Sequence, residues 1–419
     1  MNKPARRKSI LLLSHNFSPE PTGIGKYNGE MMNWFCNNGY DTTIITTFPY
    51  YPFWKVQAPY TNWWYKKEII TYPETGATMT IHRCPIYIPN FPTGKKRMIQ
   101  DMLLWPSKLW PVLNHILFKK KHDLLITIAP PFHLALMAFL YRRFRGGKVN
   151  YHIQDLQIEA ARQLNIVVGA KLFRFLYKVE GYILRKSNYV STISAGMVKK
   201  VKGKVDREVL FFPNWADTSF FYPLANRAEV KQKWDFKEND FICLYSGSIG
   251  EKQGLESIIQ AAKNLRGIEQ IKFVIAGTGP YKAELIRLAE EAGLTNVFFF
   301  PIQDKENFNA FLNMADIHLI IQKGNAGDLV MPSKLTTILA VGGTCIATAA
   351  TGTSLYQVIS DHNVGIVISS DDNDELASAI KNCLNKNLDE MRQNARAYAL
   401  KYLNIDNVMN TFLNDVGMV

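Results

Sequence analysis

Two stretches of the chain repeat one grammar about 230 residues apart: an apolar strand, a glycine-bearing turn and a helical pattern. The first runs from Ser9 to Ser14, with Gly23 and Gly25 in the loop that follows. The second runs from Phe241 to Tyr245, followed by Gly247, Gly250 and Gly254. In such a unit, backbone N–H groups and a positive helix N-terminus converge on an anion, most often a phosphate. Each copy opens its own run of alternating strands and helices. That order predicts an α/β protein of two doubly wound, parallel-sheet (Rossmann-like) domains facing a central cleft, an arrangement suited to a ligand with two ends.

With 419 residues the chain has room for two domains of roughly 200 each. Strands are expected in the first half at 9–14, 42–47, 77–83, 123–129, 148–154 and 189–194. In the second half they are expected at 241–245, 271–276, 296–300, 316–321, 344–349 and 364–368. The domains are placed at 1–208 and 209–395, with a helical tail over 396–419 packing back toward the first. No apolar run reaches the ~20 residues of a membrane-spanning helix. Arg6, Arg7 and Lys8 before Ile10–Leu13 read as a basic tail entering a strand, because the apolar core is too short for a signal peptide. Five scattered cysteines without a CxxC argue for reduced thiols in a cytoplasmic setting and against a zinc site.

The net charge of +13 hides a split. Residues 1–208 carry 31 Lys/Arg against 12 Asp/Glu, and residues 209–419 carry 18 against 24. The excess sits wholly in the first half and points to a polyanionic partner there. With no nucleic-acid motif in the chain, an anionic membrane surface is the better match. Residues 91–122 agree. Lys95-Lys96-Arg97 and Lys119-Lys120-Lys121 flank a stretch rich in Trp, Leu and Met, the composition of an interfacial membrane element. Pro106 and Pro111 within it predict a broken helix.

Several motifs recur in a fixed order. They are Gly247-Ser248-Ile249-Gly250-Glu251-Lys252-Gln253-Gly254-Leu255, Ala276-Gly277-Thr278-Gly279-Pro280, Asn296–Phe300, and Met331-Pro332-Ser333-Lys334-Leu335 running into Gly342-Gly343. Together they resemble the C-terminal domain of glycosyltransferase family 4, whose fold is GT-B. Ser18-Pro19-Glu20-Pro21-Thr22-Gly23-Ile24-Gly25-Lys26-Tyr27 resembles that family's first glycine loop. Pro49-Tyr50-Tyr51-Pro52, His152-Ile153-Gln154-Asp155 and Phe212-Pro213-Asn214-Trp215 are similar to a narrower group, the colanic-acid-type glycosyltransferases of bacterial exopolysaccharide synthesis.

The resemblance implies a metal-independent hexosyltransferase without a cofactor, which moves a sugar from a nucleotide-sugar donor with retention of configuration. GDP-fucose or GDP-mannose is slightly favoured over a UDP-hexose. The implied acceptor is a polyprenyl-pyrophosphate-linked oligosaccharide, and the implied location is peripheral, on the inner face of the cell membrane. Stabilising a leaving diphosphate without a metal requires fixed cations and N–H groups. Lys252 and Lys334 are the candidate cations, with Ser333 and the helix starting there assisting. Gly23, Gly25, Gly247, Ser248, Gly277 and Gly279 would bring backbone close to the donor. Asp155, His152 and His15, each just after a predicted strand, are the candidate sugar or acceptor contacts.

The chain departs from the family where it has Ser248 and Gln253 in place of Arg and Lys. It departs again at the E-x7-E pair, whose positions hold Leu329 and Thr337. Asp328 would substitute for the first glutamate, and Thr337 could still bond a hydroxyl. Asp372-Asn373-Asp374 reads as a helix N-terminal cluster and not as a metal motif. Two alternatives stay open: a GT-B sugar-nucleotide epimerase, and a degenerate nucleotide-binding subunit of a polysaccharide assembly complex.

Overall fold

The computed structural model describes residues 6–21, 23–91, 93–118, 121–163, 169–323, 331–369 and 373–418. The chain divides into two compact units, Met1–Phe212 and Pro213–Val419, four residues beyond the expected boundary.

The first unit is built on an eight-stranded sheet. Its strands are β1 (Ser9–Leu13), β2 (Asp41–Thr47), β3 (Lys66–Thr71), β4 (Thr78–Cys84), β5 (Leu124–Ala129), β6 (Lys148–Ile153), β7 (Tyr189–Thr192) and β8 (Leu210–Phe211), in the order β3-β4-β2-β1-β5-β6-β7-β8. All neighbours are parallel except β3, which runs antiparallel to β4. Ile10 to Leu13 and Leu124 to Ile126 are fully buried, the unbroken apolar run of a strand covered on both faces. Covering helices are α1 (Gly23–Asn37), α2 (Gly94–Phe118), α3 (Leu134–Arg145), α4 (Gln157–Gln163), α5 (Ala170–Lys186) and α6 (Ala195–Lys202). The strand order reverses between β1 and β5, so the crevice at their C-terminal ends is the natural ligand position of this unit.

The expected break in α2 does not occur: the helix runs unbroken for 25 residues through Pro106 and Pro111. A proline removes the N–H that would bond the carbonyl four residues back. For Pro111 that carbonyl is Ser107 O, and the Tyr65 hydroxyl donates to it at 2.8 Å. Pro106 lies on the exposed stripe of the helix, where water can serve the freed carbonyl.

The second unit carries six parallel strands, β9 (Phe241–Ser246), β10 (Ile271–Ala276), β11 (Val297–Phe300), β12 (Ile317–Ile320), β13 (Cys345–Thr348) and β14 (Gly365–Ile368), in the order β11-β10-β9-β12-β13-β14. Here the order reverses between β9 and β12. The helices are α7 (Arg227–Gln232), α8 (Glu256–Asn264), α9 (Lys282–Glu291), α10 (Lys305–Asn313), α11 (Lys334–Ala340), α12 (Ser354–Asp361), α13 (Asn373–Leu384), α14 (Asp389–Tyr398) and α15 (Ile405–Asp415). One apolar core packs α7, α10, α11 and α12 on one face of the sheet, and a second packs α8, α9 and α13 on the other.

The tail beyond residue 395 belongs to this second unit. Arg396 donates to Phe221 O at 2.8 Å, Ala340 O at 2.6 Å and Thr218 O at 3.0 Å. Ala216 pairs with Asn404 in an isolated bridge. A long cationic side chain near the end of α14 thus satisfies three carbonyls of the unit's opening segment and of α11.

Candidate active site

In the second unit the site grows from the end of β9. The chain leaves the strand at Gly247, turns, makes a short 3-10 turn over Glu251–Gln253 and enters α8. The Tyr245 hydroxyl donates to Ser248 O at 2.7 Å and pins the turn. Lys334, the first residue of α11, lays its ammonium on the face of the Tyr245 ring, 3.5 Å from the centroid. A Cβ at Gly247 would stand 2.8 Å from Lys334 Nζ. The ammonium lies directly against the bare glycine backbone, and the two residues define one point beside the β9/β12 reversal. Burial pushes the Lys334 pKa down to about 7. Among the described residues no carboxylate pairs with this lysine, which makes it a cation available to an anion from outside.

Gly277 and Gly279 act one step behind that point. A Cβ on Gly277 would collide with Gly247 O, and one on Gly279 with Ile249 O. Their bare backbones let the loop after β10 pack directly on the glycine turn after β9, with Gly247 N donating to Ala276 O at 3.0 Å and Ile249 N to Thr278 O at 2.9 Å. Ser248 is exposed on the turn, and Ser333 is exposed at the start of α11 without capping the helix. Thr337 is buried in α11 and donates its hydroxyl to Lys334 O at 3.0 Å, so its proton is committed to the helix backbone. Asp328, Leu329 and the side chain of Lys252 lie outside the described residues. So does Asp372, while Asp374 and Glu375 occupy the first turn of α13. A cation that sequence reading missed, Lys282, spans Gly277 O at 3.2 Å and Phe300 O at 3.0 Å, closing the C-terminal ends of β10 and β11.

In the first unit the C-terminal ends of β1, β2 and β5 and the facing side of α2 carry a cluster of titratable groups. His15 follows β1; its Nε2 meets the Tyr50 hydroxyl at 3.1 Å, and its ring stacks on Tyr50 with centroids 5.5 Å apart. On the other side, His15 Nδ1 lies 3.8 Å from Asp101 Oδ1. Asp101 comes from α2, and its other oxygen accepts from Gln157 of α4 at 2.8 Å. Burial first, then Lys108 and His133, lower the His15 pKa to about 3, so the ring is neutral. Burial raises Asp101 to about 7 against the opposing Gln157 bond and Arg97 charge. Lys108 is fully buried, and its ammonium has no hydrogen-bond partner among the described residues. Burial lowers its pKa to about 8.

In the first glycine loop a packing reason for the glycine is visible. Gly25 lies inside α1, and a Cβ there would strike the Glu20 carboxyl. The glycine makes room for a buried carboxyl. Glu20 Oε1 accepts from Tyr50 N and Tyr51 N, both at 3.0 Å, which ties the glycine loop to the Pro49–Pro52 turn. Burial raises Glu20 to about 7. Gly23 opens α1 with φ +61°.

His152 is held from both sides. Nδ1 pairs with Ser191 Oγ and Nε2 with Gln154 Nε2, both at 3.0 Å, and Phe212 packs edge-on at 5.0 Å. Both ring nitrogens are used within the fold, which makes it a satisfied core histidine. Asp155, just beyond β6, is partly buried and has no hydrogen bond or ion pair among the described residues. Burial raises its pKa to about 6. A free, perturbed carboxyl at a strand's C-terminal end is the usual mark of a ligand contact. Glu20 and Tyr50 lay in motifs already noted, whereas Asp101 and Lys108 gave no signal inside a Leu- and Trp-rich run. Among the described residues no three His, Cys or acidic side chains converge as metal ligands would.

Two doubly wound units, each with its polar groups at a strand-order reversal, define the class: the chain is a GT-B glycosyltransferase. Residues 226–402 match the family of glycosyl transferases group 1. The chain belongs to that family, and over its whole length it is similar to the putative colanic acid biosynthesis glycosyl transferase WcaI of Escherichia coli K12, with 38% identity over 97% of this chain and 99% of the relative. More distantly, it is 28% identical to the alpha-D-kanosaminyltransferase of Streptomyces kanamyceticus over 38% of this chain and 40% of that one. Among solved structures it resembles sucrose-phosphate synthase of Thermosynechococcus elongatus (TM-score 0.73, 15% identity, 98% and 99% of the two chains). It also resembles Anabaena HepE in complex with UDP and glucose (TM-score 0.69, 13% identity, 99% and 100% of the two chains).

Proposed function

We propose that this glycosyltransferase moves a hexose from a nucleotide-sugar donor, held by the second unit, to a polyprenyl-pyrophosphate-linked oligosaccharide received by the first, during assembly of a colanic-acid-like exopolysaccharide at the inner face of the membrane. The observation that carries the reading is the Lys334 ammonium, unpaired with any described carboxylate and held on Tyr245 against the Gly247 turn. A diphosphate approaching that turn would meet a fixed cation whose proton it stabilises. The leaving group is neutralised by protein charge and backbone N–H groups. Transfer proceeds with retention and with no metal; the departing phosphate takes the acceptor hydroxyl's proton as the new glycosidic bond forms. Lys252 and Asp328 complete the donor side in this reading, and Asp155 contacts the sugar.

GDP-fucose and GDP-mannose are the favoured donors in this reading, ahead of a UDP-hexose, as the resemblance of the sequence motifs to the colanic-acid-type group implies. One observation favours a second reading, the degenerate nucleotide-binding subunit: Thr337 stands where a ribose-binding glutamate is expected, and its hydroxyl proton is already donated to Lys334 O. Calorimetric titration with GDP and with UDP, followed by a transfer assay with the bound nucleotide's sugars, separates the two. Preference for one nucleotide plus turnover supports transfer. Binding without turnover favours the subunit, and binding of neither nucleotide removes the donor site.

A further inference from the structure

The sheet of the first unit ends in an open edge. β3 is its outermost strand and pairs with β4 alone. Where β4 alternates between buried and half-buried residues, no residue of β3 is buried: Ile69 is 59% exposed and Ile70 46%. Neighbouring residues of a strand point to opposite faces, so both faces of β3 are open. The loop leading into it adds Trp63 at 85% exposure and Trp64 at 67%. This apolar rim is held firmly. The Asn62 side chain donates to Ile86 O at 2.6 Å and accepts from Ile86 N at 2.9 Å. The Tyr60 ring carries Lys66 and Arg83 against it, at 4.8 and 4.6 Å from its centroid.

Open edges are normally guarded by charge, lysine above all. Here most of the guard is turned back on its own unit. Lys66 Nζ lies over Tyr60 and 3.5 Å from Glu68, and Glu68 also accepts from Arg83 Nε at 3.1 Å. Of the charged residues of β3, Lys67 alone has no ion pair among the described residues. The outward N–H and C=O groups of the strand are left beside two exposed isoleucines. Hydrocarbon offers such groups no hydrogen bonds, which rules out a bilayer as the occupant of this edge; another strand supplies them.

The side chains of β3 fit a second copy of the strand. Two antiparallel copies related by a two-fold axis normal to the sheet pair residues of like parity, because only those point to the same face. With Ile69 on the axis, Ile69 meets the partner's Ile69, Glu68 meets the partner's Ile70 and Lys67 meets the partner's Thr71. No like charges oppose each other, and branched apolar side chains meet at the centre. Moving the axis to Glu68 sets two carboxylates face to face, and moving it to Ile70 shortens the overlap to Ile69–Thr71. We infer that the chain forms a two-fold dimer in which the β3 strands pair antiparallel about Ile69 and join the two eight-stranded sheets edge to edge. The same register carries the Trp63–Trp64 loop of each copy to the turn at residues 74–76 of the other, where the exposed indoles gain cover.

Light scattering and sedimentation velocity of the full chain should show a dimer. Ile69→Lys sets like charges on the axis and should raise its dissociation constant by at least about 10-fold. Circular dichroism and nucleotide titration of this variant should match the parent, since the side chain is exposed and β3 carries no residue of the proposed reaction's sites. Cross-linking fixes the register. Under mild oxidation Ile69→Cys chains should join one another and Ile70→Cys chains should not, while Lys67→Cys and Thr71→Cys chains should join only when mixed. The native cysteines are all buried and stay out of the reaction. A monomer at every concentration overturns the inference. So does a dimer that Ile69→Lys leaves unchanged, or cross-linking through Ile70→Cys in place of Ile69→Cys.

Discussion

Lys334 and Asp101 show how burial sets the chemistry of single residues. A lysine with pKa about 7 is largely neutral at pH 8 and becomes an ammonium when a diphosphate settles beside it. Nucleotide binding at pH 8 should therefore take up close to one proton, seen as a binding heat that varies with the ionisation enthalpy of the buffer. Affinity should fall as pH rises above 7, and Lys334→Met should abolish the buffer dependence. Lys334→Ala should lower turnover by at least about 100-fold, the scale of losing one oxyanion donor; unchanged turnover would remove Lys334 from the site. Asp101 has the opposite sign. Its folded pKa, about 7, lies above the unfolded value near 4, so the folded state binds the extra proton between those limits and loses stability as pH rises through them. Asp101→Asn should match the parent in urea melts at pH 5 and exceed it at pH 8, by on the order of 2 kcal/mol. His15, lowered to about 3 by burial, contributes stability that is lost as pH falls from about 6.5 toward 3. Lys334 and Asp155 were named in the sequence from motif position alone. Asp101 was not, because a carboxyl inside an amphipathic run looks solvated until the partners that bury it, His15 after β1 and Gln157 of α4, are brought up from distant parts of the chain.

At the scale of elements, α2 is where sequence and structure part. Two prolines in 25 residues predict a break, since each removes a backbone bond worth keeping. The helix survives because Tyr65, some 40 residues upstream, supplies the proton that Pro111 lacks. Tyr65→Phe should cost about 1 kcal/mol in urea melts. In Pro111→Ala, which restores the backbone donor to Ser107 O, the same change should cost less than half as much; equal costs in both backgrounds would show that the hydroxyl does not stand in for the missing N–H. The strands were read almost to the residue wherever they are buried on both faces. β3 went unseen because Lys66–Thr71 is an exposed edge strand with no apolar alternation to read, and β8 because it has two residues. The glycine turns were correctly placed, but their reasons differ. Gly277 and Gly279 admit another loop's backbone and Gly25 admits a carboxyl, close approaches that no spacing rule encodes.

At the scale of the molecule, the charge split and the two cores make the units physically unlike. A nucleotide held at Gly247 and Lys334 stabilises the unit that binds it. At about 100 times its dissociation constant the gain is about 2.7 kcal/mol. Hydrogen exchange should show that protection in β9, β10 and α11, with β1 and β5 unchanged; equal protection in both units would mean that they unfold as one body. The architecture was legible from the sequence because alternation and glycine turns are local signals that add along the chain. The bonds that tie the C-terminal segment to its own unit were not, because one arginine makes them with three carbonyls far away in sequence. That arginine has a topological consequence. With Ala216 bridged to Asn404 and Arg396 holding Thr218 and Phe221, the second unit begins and ends at the same place. Its fold is closer to a closed ring than to a thread, and the order in which its segments are translated is incidental to its shape. A gene rearranged to join residue 418 to residue 213 through a short linker, and opened instead at an exposed turn such as Gly267, should yield the same unit with new ends.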